Sequence, residues 1–130
     1  MVSPADRRFR LFVYGTFLSG QPGHDALESA ELIGEAVTAD KYTLVELGVF
    51  AGLLDTGRTA VNGELYEVDF KILSACDVRC DHPARFHRGR VVLSDGSAAH
   101  TYFVHVDQAR GLRRLSHGDW KRRFAPRRYR

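Results

Sequence analysis

Two groups of residues carry the side chains and backbone features that chemistry needs. The first is Tyr14-Gly15-Thr16-Phe17-Leu18, where an apolar run stops at a glycine flanked by two hydroxyls. A glycine here accepts a positive φ, so the N–H groups of Gly15, Thr16, Phe17 and Leu18 can converge on one point beyond a strand end. Such a nest attracts a carboxylate or phosphate, and the hydroxyls of Tyr14 and Thr16 add donors. An ordinary strand-to-turn glycine is the alternative reading of the same five residues. The second group is Cys76, Cys80, His82 and His87. Its Cys-x3-Cys-x-His-x4-His spacing matches none of the common zinc patterns, so no metal site is expected and Cys76 reads as a small apolar filler.

The elements that must position these residues follow from local pattern. Phe9, Leu11 and Val13 alternate with Arg8, Arg10 and Phe12, which predicts a strand with one face in the core and Phe12 partly covered on the other. After a Gly/Pro loop, His24 to Gly34 reads as a short helix, and Ala36 to Leu47 as one or two strands. Gly48 and Gly52 frame an apolar loop, Val49-Phe50-Ala51, suited to covering a pocket, and Leu53 to Arg58 reads as a turn. Thr59 to Asp69 is a strand with a bulge or a close approach at Asn62-Gly63. Phe70 to Arg79 is a helix with Ile72, Leu73, Cys76 and Val78 on one side, ended by His82-Pro83. Phe86 to Leu93 and Ala98 to Val106 form a hairpin around Ser94-Asp95-Gly96.

This order predicts a small α+β domain whose mostly antiparallel sheet curls into a barrel with flanking helices. At 130 residues and 44% hydrophobic, the chain suits one domain with a sizeable core. No apolar stretch approaches the ~20 residues of a membrane span, and the start, MVSPADRRF, lacks the apolar region of a secretory signal. With only two cysteines, a cytoplasmic protein is the expectation.

The net charge of +3 is unevenly spread. From Arg110 to Arg130 there are nine basic residues and one acidic, whereas the first 109 residues are net acidic. Residues 1–120 are therefore read as the domain and 121–130 as a basic C-terminal tail. Only Trp120, Phe124 and Tyr129 interleave that charge, so no nucleic-acid partner is expected.

An ordered set of short motifs now carries a resemblance. Tyr14-Gly15-Thr16-Phe17 with Gly20 and His24, Tyr42-x-Leu44 with Gly48, Val61-x-Gly63-Glu64-Leu65-Tyr66-x-Val68, Leu73 with Asp77, then Arg88 and Ser116-x-Gly118-Asp119-Trp120, together resemble the gamma-glutamylcyclotransferase-like (AIG2-like) family from about Leu11 to Trp120. The resemblance implies a small β-barrel fold. It also implies an enzyme without a cofactor, in which a substrate's α-amine attacks its own γ-glutamyl carbonyl and releases 5-oxoproline and an amine. Tyr14, Gly15, Thr16, Phe17 and Leu18 would hold the carboxylate-bearing glutamyl group, and proximity would do much of the work. A carboxylate must still take the ammonium proton and pass it to the leaving amine.

Here the chain departs from the family. Its glutamate follows an aspartate by three residues, as Asp-x-x-Glu-Gly, whereas this chain reads Asp77-Val78-Arg79-Cys80-Asp81. Cysteine takes the glutamate position and Asp81 the glycine position; Phe86 stands where a tyrosine is usual. Three explanations remain open: Asp81 as a relocated acid/base, Cys80 as a thiol catalyst helped by His82, Arg79 or His87, or a binding module that has lost turnover. An unusual, specialised substrate is expected from these joint changes. Of the other motif residues, Glu64 reads as a pairing or surface residue, His24 as an anchor, Trp120 as a core plug, and Arg88 either as a partner of Asp77 or as a substrate contact.

Overall fold

The computed structural model describes residues 7–123. Along this span run strands β1 (Arg8–Val13), β2 (Glu31–Val37), β3 (Tyr42–Leu47), β4 (Phe50–Thr59) and β5 (Asn62–Asp69), the helix α1 (Phe70–Arg79), and strands β6 (Phe86–Val92) and β7 (Ala98–Val104). Five strands form one sheet in the order β2-β5-β1-β7-β6, and β3 and β4 pair as a separate hairpin. All pairings are antiparallel except that of β1 with β7.

The two edge strands meet at one corner. Thr38, just past β2, bridges Leu93, just past β6, and is flanked by Ala39 N–H to the Val92 carbonyl at 2.9 Å and Ser94 N–H to the Val37 carbonyl at 2.8 Å. The expected α+β class and mostly antiparallel, curled sheet are thus present, joined at this corner and open along the rest of the edges.

β1 occupies the middle of the sheet, and Leu11, Phe12 and Val13 are all buried. α1 packs on β1 and β5 while β4 packs on β7, so the alternation at the start of the strand gives way to a continuous apolar run. Gly63 explains how Phe12 fits, since a Cβ there would fall 2.5 Å from the Phe12 ring and 2.3 Å from the Val13 carbonyl oxygen. Close approach, of the two alternatives at Asn62-Gly63, is the one observed; the register shift lies instead in β2, between Leu32 and Gly34.

α1 covers the predicted residues. Asp69 caps it by accepting from the Ile72 amide at 2.8 Å, satisfying one donor that a helix start leaves free. Its buried positions are Leu73 and Cys76, followed by Cys80 at the cap, while Val78 is 81% exposed and does not belong to the inner face.

Two elements differ from expectation. The helix expected over 24–34 is only a 3-10 turn, His24–Leu27, before β2 begins at Glu31. The apolar residues that suggest helical spacing, Leu32 and Ile33, lie more than half exposed on an edge strand. Leu53 to Arg58 is part of β4, and Gly57 allows it to continue: a Cβ there would fall 2.0 Å from Thr43 Oγ1. At the C-terminal end, Trp120 is fully buried and opens a short turn running to Arg122, while the expected tail beyond residue 123 lies outside the described residues.

Candidate active site

The strand β1 ends at Val13, and Gly15, at φ 64°, turns the chain into a 3-10 turn, Gly15–Phe17. Glycine is needed here twice over. The left-handed φ disfavours any side chain, and a Cβ would lie 2.6 Å from that of Ala51 at the start of β4.

The expected four-amide nest is smaller in the structure. Phe17 N–H donates to the Tyr14 carbonyl at 3.4 Å and Leu18 N–H to that of Gly15 at 3.2 Å, so the turn uses both. The amides of Gly15 and Thr16 are those it leaves, with the Thr16 hydroxyl beside them. Tyr14 adds no hydroxyl to the nest. Its phenol donates to the Tyr102 carbonyl at 2.5 Å and accepts from the Leu53 amide at 3.0 Å, tying the end of β1 to β7 and β4. Burial first, and the neighbouring Cys80 second, push its ionisation well above the ordinary phenol range.

Side chains remote in sequence hold the loop in place. Glu64 accepts from the Ser19 amide at 2.8 Å, the Ser19 hydroxyl at 2.5 Å and the Tyr66 hydroxyl at 3.0 Å. Burial alone would raise the Glu64 carboxyl, but these donors outweigh it and hold it below its usual value. Glu64 is therefore a buried anchor rather than a surface residue. His24 Nδ1, 2.9 Å from the Phe17 carbonyl oxygen, must carry its proton there, which fits the expected anchoring role.

The turn opens on a cavity of about 490 Å³. Tyr14, Thr16 and Phe17 line it from the loop, Cys80 and Asp81 from the end of α1, and Phe86 from the start of β6. Gly15 and Leu18 do not: the first is packed beneath the turn against Ala51, and the second is buried and lines a smaller cavity with Glu64.

At the end of α1, Cys80 closes the helix and Asp81 takes φ 51°, a left-handed position that usually belongs to glycine. Aspartate tolerates it better than most side chains. Glycine, the residue that the resemblance implies at this position, adopts such a φ without strain. Cys80 is 7% exposed, and burial, then Cys76 and Asp77, push its thiol up to about 12. At neutral pH it is a protonated, apolar wall residue. Asp81 is exposed at the cavity.

The expected helpers of Cys80 are otherwise engaged. His82 Nδ1 accepts from the Arg88 amide at 2.9 Å, and the His87 ring stacks on that of Phe103 and lies tilted against that of His105; neither lines the cavity. Arg79 does line it, but its guanidinium pairs with both Asp25 oxygens at 3.2 Å, bridging α1 to the segment after the loop. Arg88 donates to Asp77 from Nε at 3.0 Å and from Nη2 at 3.2 Å, while the Tyr102 hydroxyl donates to the same carboxylate at 2.5 Å. Arg88 is thus a partner of Asp77, fixing α1 to β6 and β7 below the cavity.

Sequence reasoning does not single out Arg85, Tyr102 or Phe50 as site residues, although Phe50 lies in the apolar loop expected to cover a pocket. Tyr102 looks like any core aromatic in a strand, and Arg85 like any loop arginine; only the fold brings them to the cavity. Among the described residues, no group of three or more His, Cys, Asp or Glu side chains is placed to hold a metal ion.

Comparison with known proteins agrees with this fold. The family described as "Gamma-glutamyl cyclotransferase, AIG2-like" matches residues 11–122. The gamma-glutamylcyclotransferase family protein YtfP of Escherichia coli K12 is 30% identical over 85% of this chain and 95% of its own. A Vibrio cholerae relative is 32% identical over 87% of this chain and 96% of its own. The crystal structure of a mouse AIG2-like protein superposes with a TM-score of 0.75 at 24% identity, covering 95% of this chain and 99% of that one. The chain belongs to the gamma-glutamyl cyclotransferase, AIG2-like family.

Proposed function

We propose that this protein is an enzyme that cleaves a γ-glutamyl amide by intramolecular attack of the α-amine, releasing 5-oxoproline and an amine, with Asp81 as acid and base. The observation that carries this reading is the placement of Asp81: an exposed carboxylate one residue beyond the family's glutamate position, lining the same cavity as Thr16. The substrate carboxylate would rest on the Thr16 amide and hydroxyl, with the ring of Phe86 lining the same cavity. Asp81 takes a proton from the α-ammonium, the freed nitrogen closes on the γ-carbonyl carbon, and that proton leaves with the amine as the amide C–N bond breaks, while the second proton shed by the ring nitrogen passes through Asp81 to the amine or to solvent. A buried neutral thiol at Cys80 supports no competing base, because removing its proton in that apolar wall is more costly than in water.

The same thiol favours a second reading. With Cys80 in the glutamate position and Asp81 shorter and displaced by a residue, the cavity would bind a carboxylate ligand without turning it over. Release of 5-oxoproline is the discriminating measurement, across γ-glutamyl amides, for the wild type, Asp81→Asn and Cys80→Ser. Loss of release in Asp81→Asn alone supports the relocated base; loss in Cys80→Ser alone overturns it in favour of thiol chemistry. Retained ligand binding with no release from any protein establishes the binding module.

A further inference from the structure

The cavity is larger and more apolar than a glutamyl group requires. At about 490 Å³ it offers the space of about 16 waters at ~30 Å³ each, against about nine heavy atoms in a γ-glutamyl group. Its size falls among sites that enclose drug-sized ligands, about 300–1,000 Å³. Away from Thr16, Asp81 and the two arginines, the lining is largely apolar, and the rings of Phe17, Phe50 and Phe86 and the side chain of Val49 are part of it. Val49 and Phe50 form the tip of the β3–β4 hairpin and are 72% and 45% exposed, so they present apolar surface at the cavity without being buried by the fold.

Charge at the rim is unequally committed. Arg79 is paired with Asp25. The Arg85 guanidinium lies 5.7 Å from the centre of the Phe50 ring and, among the described residues, forms no ion pair. A cation over one aromatic wall of the cavity is suited to an acid carried by an aromatic ligand lying against that wall.

We propose that the amine half of the substrate is a bulky aromatic group bearing an acid: Phe17, Phe50 and Phe86 enclose its ring and Arg85 holds its acid. This rests on the reading of the cavity as a γ-glutamyl amide site and specifies what that site accepts. The reaction then converts one γ-glutamyl arylamide into 5-oxoproline and the free arylamine. The new bond joins the α-nitrogen to the γ-carbon and the amide C–N bond breaks; of the two protons the α-ammonium loses, one ends on the departing nitrogen and the other passes through Asp81 to solvent. No water or redox partner enters the balance.

The test separates binding from turnover. Glutaric acid monoamides retain the glutamyl carboxylate and amide but lack the α-amine, so they cannot cyclise through it. Calorimetric affinities are to be compared for the monoamides of 4-aminobenzoate, aniline and methylamine. The expected order is at least tenfold tighter binding at each step, 4-aminobenzoate over aniline over methylamine. Arg85→Ala should abolish the first step and keep the second; Phe50→Ala should shrink the second. Methylamide binding within twofold of the anilide, or an unchanged acid preference in Arg85→Ala, overturns the proposal. Release of 5-oxoproline from the γ-glutamyl forms of the same amines is read in parallel. If the order of affinities holds but nothing is released, the reaction assigned above falls and the ligand class stands. Release without any order of affinities keeps the reaction and removes the ligand class, and no binding of any of the three amides removes both.

Discussion

Gly15 lies directly against Ala51, so the turn after β1 and the start of β4 are built as one unit on the cavity side of the protein. Gly15→Ala brings two independent penalties. The left-handed φ of 64° costs a side chain about 1–2 kcal/mol, and the 2.6 Å overlap with Ala51 adds about 1–3 kcal/mol of overpacking. Urea unfolding should show a loss of about 2–5 kcal/mol. The double variant Gly15→Ala/Ala51→Gly should recover the overlap but not the backbone part. Full additivity of the two substitutions would show that the two residues do not press on each other.

The Glu64 carboxyl ties the loop down at Ser19. Its folded pKa lies below the unfolded one, so the stability it contributes is fully present above the ordinary carboxylate range and is lost as pH falls through the folded value. Glu64→Gln should cost about 1.5–3 kcal/mol at pH 7, the worth of hydrogen bonds to a charged group. The gap between wild type and variant should narrow as the pH is lowered below about 4.3, where the unfolded glutamate takes up its proton. A gap independent of pH, read from urea midpoints, would show that the charge on Glu64 is not what anchors the loop.

The thiol of Cys80, raised to about 12 by burial, should resist alkylation in the native protein. At pH 8 its thiolate fraction is roughly a thousandfold below that of a free cysteine with pKa ~8.5. Iodoacetamide labelling followed by mass spectrometry should therefore modify Cys80 only in denaturant. Native labelling at the rate of a free thiol would revive thiol chemistry at this site.

What is legible in the sequence depends on how local the cause is. β1, the turn at Gly15 and α1 follow from short-range features: an apolar run, a glycine, and apolar residues spaced along one side of a helix. The β6–β7 hairpin is equally local. β2 escapes a local reading because its pairing with β5 comes from outside the segment, while its own apolar residues lie exposed at spacing that suits a helix as well. At the site, Thr16, Phe17, Cys80, Asp81 and Phe86 stand out as candidates in the sequence and do meet at one cavity. The partners that fix the site cannot be read in the same way: Ser19 with Glu64 are 45 residues apart, and Tyr14 with Tyr102 are 88 apart. Hydrogen bonds of that range depend on topology, and they turn the Tyr14 hydroxyl from a substrate donor into a brace between strands.

Arg88 and Tyr102 both donate to Asp77, whose side chain is 21% exposed. Tyr102→Phe removes one charge-assisted hydrogen bond and should cost about 1.5–3 kcal/mol. Arg88→Met removes two such bonds and leaves the carboxylate half-buried with one hydroxyl, so its cost should be at least as large. Urea unfolding of the two variants measures both. A neutral Arg88→Met would mean that the ion pair does not hold α1 to β6.

Asp81 occupies a left-handed position that glycine fills without penalty, so stability and activity should part company there. Asp81→Gly should raise unfolding stability by about 0.5–1 kcal/mol, because it relieves a backbone conformation that costs any side chain. If Asp81 is the acid and base, the same change should lower 5-oxoproline release by roughly 10²–10⁴-fold, the usual contribution of such a group. The double variant Cys80→Glu/Asp81→Gly restores the family's Glu-Gly pair on a backbone already shaped for it, and should recover release from γ-glutamyl amides. Denaturation curves and an end-point assay for 5-oxoproline measure the two effects separately. Undiminished release in Asp81→Gly would remove Asp81 from the mechanism, and an inactive double variant on an intact fold would show that the changes at Cys80 and Asp81 are not the ones that set turnover.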